Sequence, residues 1–325
     1  MRSEVPERTE RPPLTTGRRG IGDFTFRYLT LGSGLLVLVV LALIAIATTG
    51  QAMPLLRHNL HQFLLSKTWN PEAGTPQFGA LGFVYGTVVS SAIALLFAIP
   101  ISVGIALFLS ELAPRRLRRP VTFMVDLLAA IPSVVFGLWG VLVLAPWIRH
   151  VYSRLASWAH PVPGLRVLLS DGQGGGGSGR SFFTAGIILA LMITPIVTAL
   201  TREIYDTTPA GQKEAALALG ATRWEMIRGT IFPYSRAGFI GAVLLGLGRA
   251  LGETIAAALV IGSSVQVTGR LFSSGDSMAA VIANQFGEAT DKFRAALIGL
   301  GVLLFVITIF VNLVARAILG RTEAV

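Results

Sequence analysis

A chain of 325 residues that is 53% hydrophobic and only 14% charged lies far below the roughly one-quarter charge of soluble domains, and a soluble fold of this size has too little polar surface to cover so much apolar side chain. The absence of cysteine excludes a disulfide framework, a thiolate metal site and a cysteine nucleophile. The formal charge of +10 raises the question of a nucleic-acid partner, which the placement of the charges answers.

A helix that crosses a bilayer needs roughly 20 consecutive, mostly apolar residues. Stretches without Asp, Glu, Lys or Arg run over 28–56, 73–110, 127–148, 181–201 and 295–315, and a sixth apolar stretch, 237–261, is interrupted only by Arg249 and Glu253. These predict six transmembrane helices near 28–49, 83–109, 121–145, 183–201, 237–261 and 295–315, in an all-α integral membrane protein. The polar, Pro- and Arg-rich start predicts a disordered cytoplasmic tail over 1–25, with the six-helix transmembrane domain over 26–325. Ala45-Ile46-Ala47 has the small-x-small spacing of a signal cleavage site, but the apolar run before it is too long for a signal and reads as a span.

Six passes put both termini on one side. With the N-terminus cytoplasmic, the inner segments hold seventeen Lys and Arg and the outer loops nine, which follows the positive-inside rule. The net charge is therefore topology and contact with membrane lipids, with no nucleic-acid face. The outer segment 146–182 ends in GQGGGGSGR, a flexible-linker composition. Gly176–Gly179 spells an intramembrane-protease string, but no histidine at membrane depth is available to activate Ser178, so an intramembrane hydrolase lacks its constellation.

The inner loop 202–236 carries the most information. Thr208 is placed to cap a helix beginning at Pro209, the favoured first-turn site for proline, and Glu214–Leu219 continues it with strong helix formers. Gly220 supplies a left-handed stop. Thr222 and Glu225 form a capping box that starts a second short helix, which Pro233 closes. The small residues Ala215, Ala216 and Ala218 suit a helix seated in a groove of another protein.

EAALALGATRWEMIRGTIFP resembles the EAA loop of ABC-importer permeases, the coupling helix that docks on a separate ATPase. The matching positions are Glu214, Ala215, Ala216, Gly220 and Pro233, while Thr230 and Phe232 depart from the pattern. WNP (69–71), FGALGFVYGT (78–87), LLAAIPSVVFGLWG (127–140), ALGATRWE (218–225) and GRALGET (248–254) are similar to the PstC-type permease of the phosphate-specific importer. The resemblance implies a bacterial cytoplasmic (inner) membrane location and a PstA-type permease as heterodimer partner. It further implies two copies of an ATP-binding-cassette ATPase below and an extracytoplasmic phosphate-binding protein above. ATP and Mg would be bound by the partner ATPase, with no cofactor in this chain. The sequence agrees on the motor: a P-loop needs Gly-Lys before Ser or Thr, and Lys67, Lys213 and Lys292 follow Ser, Gln and Asp. The chain is thus read as a transporter subunit and not an enzyme. Importers of other oxyanions, such as sulfate or molybdate, stay open, as does an ion-coupled secondary transporter with midplane carboxylates.

Within the spans, Arg249 is expected near mid-bilayer, with Glu253 one helical turn on and able to pair with it. A charge at that depth costs at least about 2.5–3.5 kcal/mol and has to face a pore, a partner or a counter-ion. A guanidinium offers forked donors that match an oxyanion. Arg249, Glu253 and Thr254 are the candidate substrate path. A structural ion pair that fixes helix packing is the competing reading. Asp126 is expected as a shallow carboxylate at the membrane interface, and Pro100, Pro132 and Pro195 as bends within spans.

Overall fold

The structure, a computed structural model, describes residues 21–72, 76–159, 168–170 and 177–322. Among them, six helical stretches are long and apolar enough to cross a membrane: Phe24–Arg57, Leu81–Leu112, Ser133–Leu155, Phe182–Asp206, Arg223–Leu251 and Asp291–Ala317. The all-α expectation holds. The one small ladder is an antiparallel pair of two-residue strands, β1 (Trp69–Asn70) and β2 (Gln77–Phe78). The first helix, α1 (Ile21–Leu65), starts inside the segment expected as a tail, of which residues 1–20 lie outside the described residues. From Phe24 to Val40 its side chains are exposed on all sides, as a lipid-facing helix requires.

The remainder is organised around α6 (Phe182–Asp206), which buries Phe182, Ile188, Leu189, Ile193 and Val197 and continues through Pro195. Against it lies α2 (Leu81–Leu107), also unbroken at its proline, Pro100, and finished by a π-helical turn at Phe108–Leu112. The seam between them is made close by small residues, with Ala94, Ala98 and Ser102 all fully buried. Ser102 Oγ donates to the carbonyl of Thr194 at 3.1 Å. Helices in lipid gain nothing by hiding apolar surface from one another, so close backbone approach and interhelical hydrogen bonds hold such a pair together.

The third span differs from the sequence expectation of one helix over 121–145. That helix is broken into α3 (Arg115–Ala130) and α4 (Ser133–Trp139), separated by extended backbone at Ile131 and Pro132, and the stretch long and apolar enough to cross a membrane begins only at Ser133. Proline has no N–H to give the preceding turn and pushes the residue before it into extended conformation. Arg118 bonds Asp206, Arg202 bonds Thr122, and Gly140 packs on Ile188. By that register the broken span runs antiparallel along the whole of α6. After a π-helical turn at Gly140–Leu144 comes the 15-residue α5 (Ala145–Ala159), so the segment expected as a flexible linker opens inside a helix. Residues 160–167 and 171–176, with most of the glycine run, lie outside the described residues. The Tyr152 hydroxyl of α5 bonds Ser181 at 2.9 Å and Thr184 at 2.6 Å, and its ring stacks on Phe272 at 3.8 Å.

The chain re-enters as α7 (Ala210–Ala218), α8 (Arg223–Met226), α9 (Phe232–Leu251) and α10 (Ile255–Val260), then α11 (Met278–Gln285) and α12 (Asp291–Thr322). The segment between α10 and α11 folds back on the start of α6. Ser181, Phe182 and Phe183 donate their N–H groups to Val260, Ser273 and Leu271 at 3.1, 3.2 and 3.0 Å. At the same end a second core gathers Phe63, Phe83, Met278, Leu297 and Leu300, with Trp69 packed on it. Trp69 Nε1 also donates to Gln285 Oε1 at 3.0 Å.

Asp276, in that returning segment, is buried, and its carboxylate accepts from the N–H of Ser277 at 2.8 Å. Burial pushes its carboxyl up to about 6, which the Ser277 bond only partly offsets. The folded-state pKa exceeds the unfolded value of about 3.9. The folded protein then holds more protons between those limits, so stability falls as pH rises from about 4 to 6 and the full penalty persists above 6. Asp276→Asn keeps the acceptor and removes the charge. It is expected to stabilise the purified protein at pH 7.5 by up to about 3 kcal/mol, with the gain gone below about pH 4. Thermal denaturation in detergent at the two pH values measures this.

Candidate coupling and translocation site

At one end of the helix bundle, α7 rests on the tips of the spans. Its N-cap is Pro209, with helix from Ala210. Thr208 does not cap it: its hydroxyl is buried without a hydrogen-bond partner. The anchor is instead an ion pair, Lys213 Nζ to Glu111 Oε1 at 2.6 Å, with side chains only 19% and 15% exposed. Beside it, Ala216 packs on a cluster of Ala106, Tyr205, Met226, Ile227 and Ile231. An alanine there lets α7 lie close to the span ends. The opposite face presents Glu214, Ala215, Leu217 and Ala218 outward, and Leu219 beyond it is 90% exposed.

Gly220 ends α7 with φ +86°, the left-handed conformation that costs a side-chain-bearing residue roughly 1–2 kcal/mol. The bonds from Gly220 N to Leu217 O at 3.0 Å and from Ala221 N to Ala216 O at 3.2 Å complete a Schellman closure. The Thr222–Glu225 capping box forms in both directions. The helix it starts is not closed by Pro233. A π-helical turn at Ile227–Ile231 intervenes, in which Phe232 N–H reaches back to Ile227 O, and helix continues from Arg223 to Leu251. The wider turn absorbs the extra residue and the donor that proline lacks. The expected pair of short helices is therefore one short helix followed by a span that projects past the bundle end, with Trp224 exposed at its tip.

Deeper in, α9 runs antiparallel to α6. A Cβ on Gly238 would come within 2.8 Å of Ile204, and one on Gly246 within 2.7 Å of Val197. Arg249, one turn further, is thus level with the middle of α6, and it is exposed. The expected partnership with Glu253 does not form. The helix ends at Leu251 and Gly252 turns out of it, so a four-residue spacing no longer stacks two side chains on one face. Glu253 Oε1 instead accepts from Ala256 N–H at 3.4 Å, in the first turn of α10. Glu253 and Thr254 are half-buried at the break.

The break in the fifth span stands beside the break in the third. Gly137 of α4 meets Ala256 and Leu259, where a Cβ would come within 2.9 and 2.8 Å, and Gly140 meets Val260. In that parallel register Ser133 is level with Gly252 and Glu253. Two interrupted spans thus restart side by side, with an exposed arginine at their junction. The sequence contained each break as a proline or glycine within an apolar run, but nothing in it paired them. It gave equally little sign of Lys213–Glu111 or of Arg118–Asp206, at 2.9 Å, because each joins residues about a hundred positions apart or nearly so. Asp126 is exposed on α3, and by the register of α3 on α6 it lies about two turns inward from the level of Arg118.

The family model described as "Binding-protein-dependent transport system inner membrane component" matches residues 98–323, and the chain belongs to that family. Solved structures agree at the level of fold. One is the methionine ABC transporter MetNI in inward-facing conformations, 18% identical with a TM-score of 0.52 over 75% of this chain and 94% of that one. Another is a bacterial ABC transporter involved in the import of the acidic polysaccharide alginate, 19% identical with a TM-score of 0.53 over 90% and 96%. Within the family, this chain is 43% identical to the phosphate transport system permease protein PstC of Mesorhizobium japonicum over 95% of its own length and 94% of the relative's. It is 40% identical to PstC of Xylella fastidiosa over 98% and 96%, and 41% identical to PstC of Haemophilus influenzae over 92% and 93%. Its likeness is thus specifically to the PstC-type permeases.

The ion pair under α7 gives a direct test of what seats that helix. Removing one partner of a shielded pair leaves the other charge uncompensated. Lys213→Met is therefore expected to speed amide hydrogen exchange across 210–218 by at least about tenfold, with exchange in α6 unchanged, as read by mass spectrometry.

Proposed function

We propose that this chain is the permease subunit of an ABC importer that moves inorganic phosphate across the bacterial cytoplasmic membrane on ATP hydrolysed by a partner. The observation that carries this reading is the exposed Arg249 at the level of the two helix breaks. A guanidinium facing hydrocarbon at mid-depth would cost several kcal/mol, so this face belongs to an aqueous path or to a partner chain. An anion in transit is a fitting occupant, since two of its oxygens match the fork of the guanidinium. Glu253 serves by holding the first turn of α10, which keeps the break open beside Arg249, and Thr254 lies next to it.

The coupling end supports the same reading. Glu214, Ala215, Leu217 and Leu219 form a small outward surface on a helix that is itself firmly seated, the arrangement needed to receive force from another protein. In this assembly the surface meets the ATPase, which binds ATP and Mg2+, and both termini of the chain lie in the cytoplasm. A PstA-type chain completes the path, and an extracytoplasmic phosphate-binding protein delivers the substrate.

Reconstituted with its partners in liposomes, Arg249→Ala is expected to lower phosphate uptake by at least about tenfold, and Arg249→Lys to give an intermediate rate. Undiminished uptake in both, with the complex intact, would remove Arg249 from the path. Uptake of sulfate or molybdate in preference to phosphate would reassign the substrate. Gly220→Val, which strains the end of α7 by about 1–2 kcal/mol, is expected to weaken ATPase co-purification and uncouple ATP hydrolysis from uptake.

A further inference from the structure

The hairpin from α2 into α3 carries a feature that neither the coupling surface nor the Arg249 site uses. Between the two helices runs an open groove of about 360 Å3 lined by Gly104 and Ile105 of α2, by Phe108 of the π-helical turn that ends it, and by Val121, Met124 and Leu128 of α3. Every one of these is apolar or glycine. Gly104 leaves the floor free, since a Cβ there would meet nothing within 4 Å. The groove ends in charge. Arg118, one turn before Val121, crosses the hairpin to place Nη2 3.4 Å from the carbonyl of Ser110 and 2.9 Å from Asp206 Oδ1.

Around that mouth the charges do not balance. Glu111 is taken by Lys213 and Arg118 by Asp206. Arg115, Arg116 and Arg119 are exposed and, among the described residues, form no ion pair. Three guanidinium groups with no carboxylate partner among the described residues therefore stand on the first turns of α3, at the span end that also carries α7. An apolar channel running into the membrane, closed at the membrane surface by unpaired arginines, has the polarity of a single anionic lipid: hydrocarbon along the walls and phosphate at the mouth. Basic residues near an anionic leaflet attract its lipids, and arginine adds forked hydrogen bonds to phosphate oxygens.

From this we infer that the α2–α3 groove binds an anionic phospholipid, with an acyl chain against Gly104, Phe108 and Met124 and the headgroup phosphate held by Arg115, Arg116 and Arg119. The lipid would brace the hairpin from which both α7, through Glu111, and α6, through Asp206, are held. The site is independent of the transported substrate.

Native mass spectrometry of the full chain, released from nanodiscs of equal phosphatidylglycerol and phosphatidylcholine, tests this. Wild type is expected to retain phosphatidylglycerol at least fivefold over phosphatidylcholine. The triple variant Arg115→Gln, Arg116→Gln, Arg119→Gln should lose that preference. Gly104→Leu, which fills the floor, should lower retention of both lipids while the melting temperature holds. Equal retention of the two lipids by wild type, or retention unchanged in both variants, overturns the proposal. So does a photo-crosslinker at Met124 that captures a polypeptide of the assembled transporter and no lipid. Should the triple variant fail to fold, rising salt applied to wild type must still erase the preference for phosphatidylglycerol; persistence at high salt counts against the site.

Discussion

Inside a bilayer no water waits to satisfy a broken backbone or a lone charge, and that constraint shapes the centre of this molecule. Both interruptions, at Ile131–Pro132 and at Gly252–Thr254, stand beside each other, with Pro132 and Gly252 exposed and Ile131, Glu253 and Thr254 half-buried. Non-helical backbone at membrane depth is tolerated only where it is buried in protein or lines a water-filled cavity. The two restarting helices meet through Gly137 and Gly140 and are backed by Ile188 of α6. Their close approach turns two local weaknesses into one packed junction. Arg249 is the charge left at that junction, and its exposure in the isolated chain is physically sensible only if something polar covers it.

The coupling end and the junction are joined by one element. Helix runs without a stop from the capping box at Thr222 to Leu251, through 29 residues, a length of about 44 Å. The π-helical turn at Ile227–Ile231 interrupts the hydrogen-bond register without ending the helix. In the proposed importer, a push on the α7 surface or on Trp224 therefore reaches the neighbourhood of Arg249 through a single rod, which has glycine contacts with α6 along its length. The shielded Lys213–Glu111 pair and the Arg118–Asp206 pair tie α7, α2, α3 and α6 at the receiving end, so the force is shared among the spans instead of bending the loop.

The chain belongs to a family of transport-system inner membrane components, and in the proposed importer what it supplies is geometry, while a partner hydrolyses ATP. The division of labour suits the physics of transport, because the binding energy for an anion at mid-depth has to be small enough for release. In the proposed importer the exposed Arg249, with Glu253 turned to the α10 backbone, would give attraction without the multiple fixed donors that would trap an anion.

Periodicity and composition alone determined that the chain spans a membrane about six times, because the length of an apolar run is a one-dimensional property that the bilayer reads directly. The capping box, the Gly220 stop and the exposed alanine-rich helix were likewise legible, since each depends on residues within a few positions of one another. What only the tertiary structure decided is how distant parts meet. Pro233 could be read as a helix end because the π-helical turn that rescues it has no composition of its own. Arg249 and Glu253 could be read as a pair because four-residue spacing implies one face only while the helix lasts, and Gly252 ends it. The alignment of the two breaks and the ion pairs that seat α7 arise from packing between segments far apart along the chain, where the sequence holds the residues but not their register.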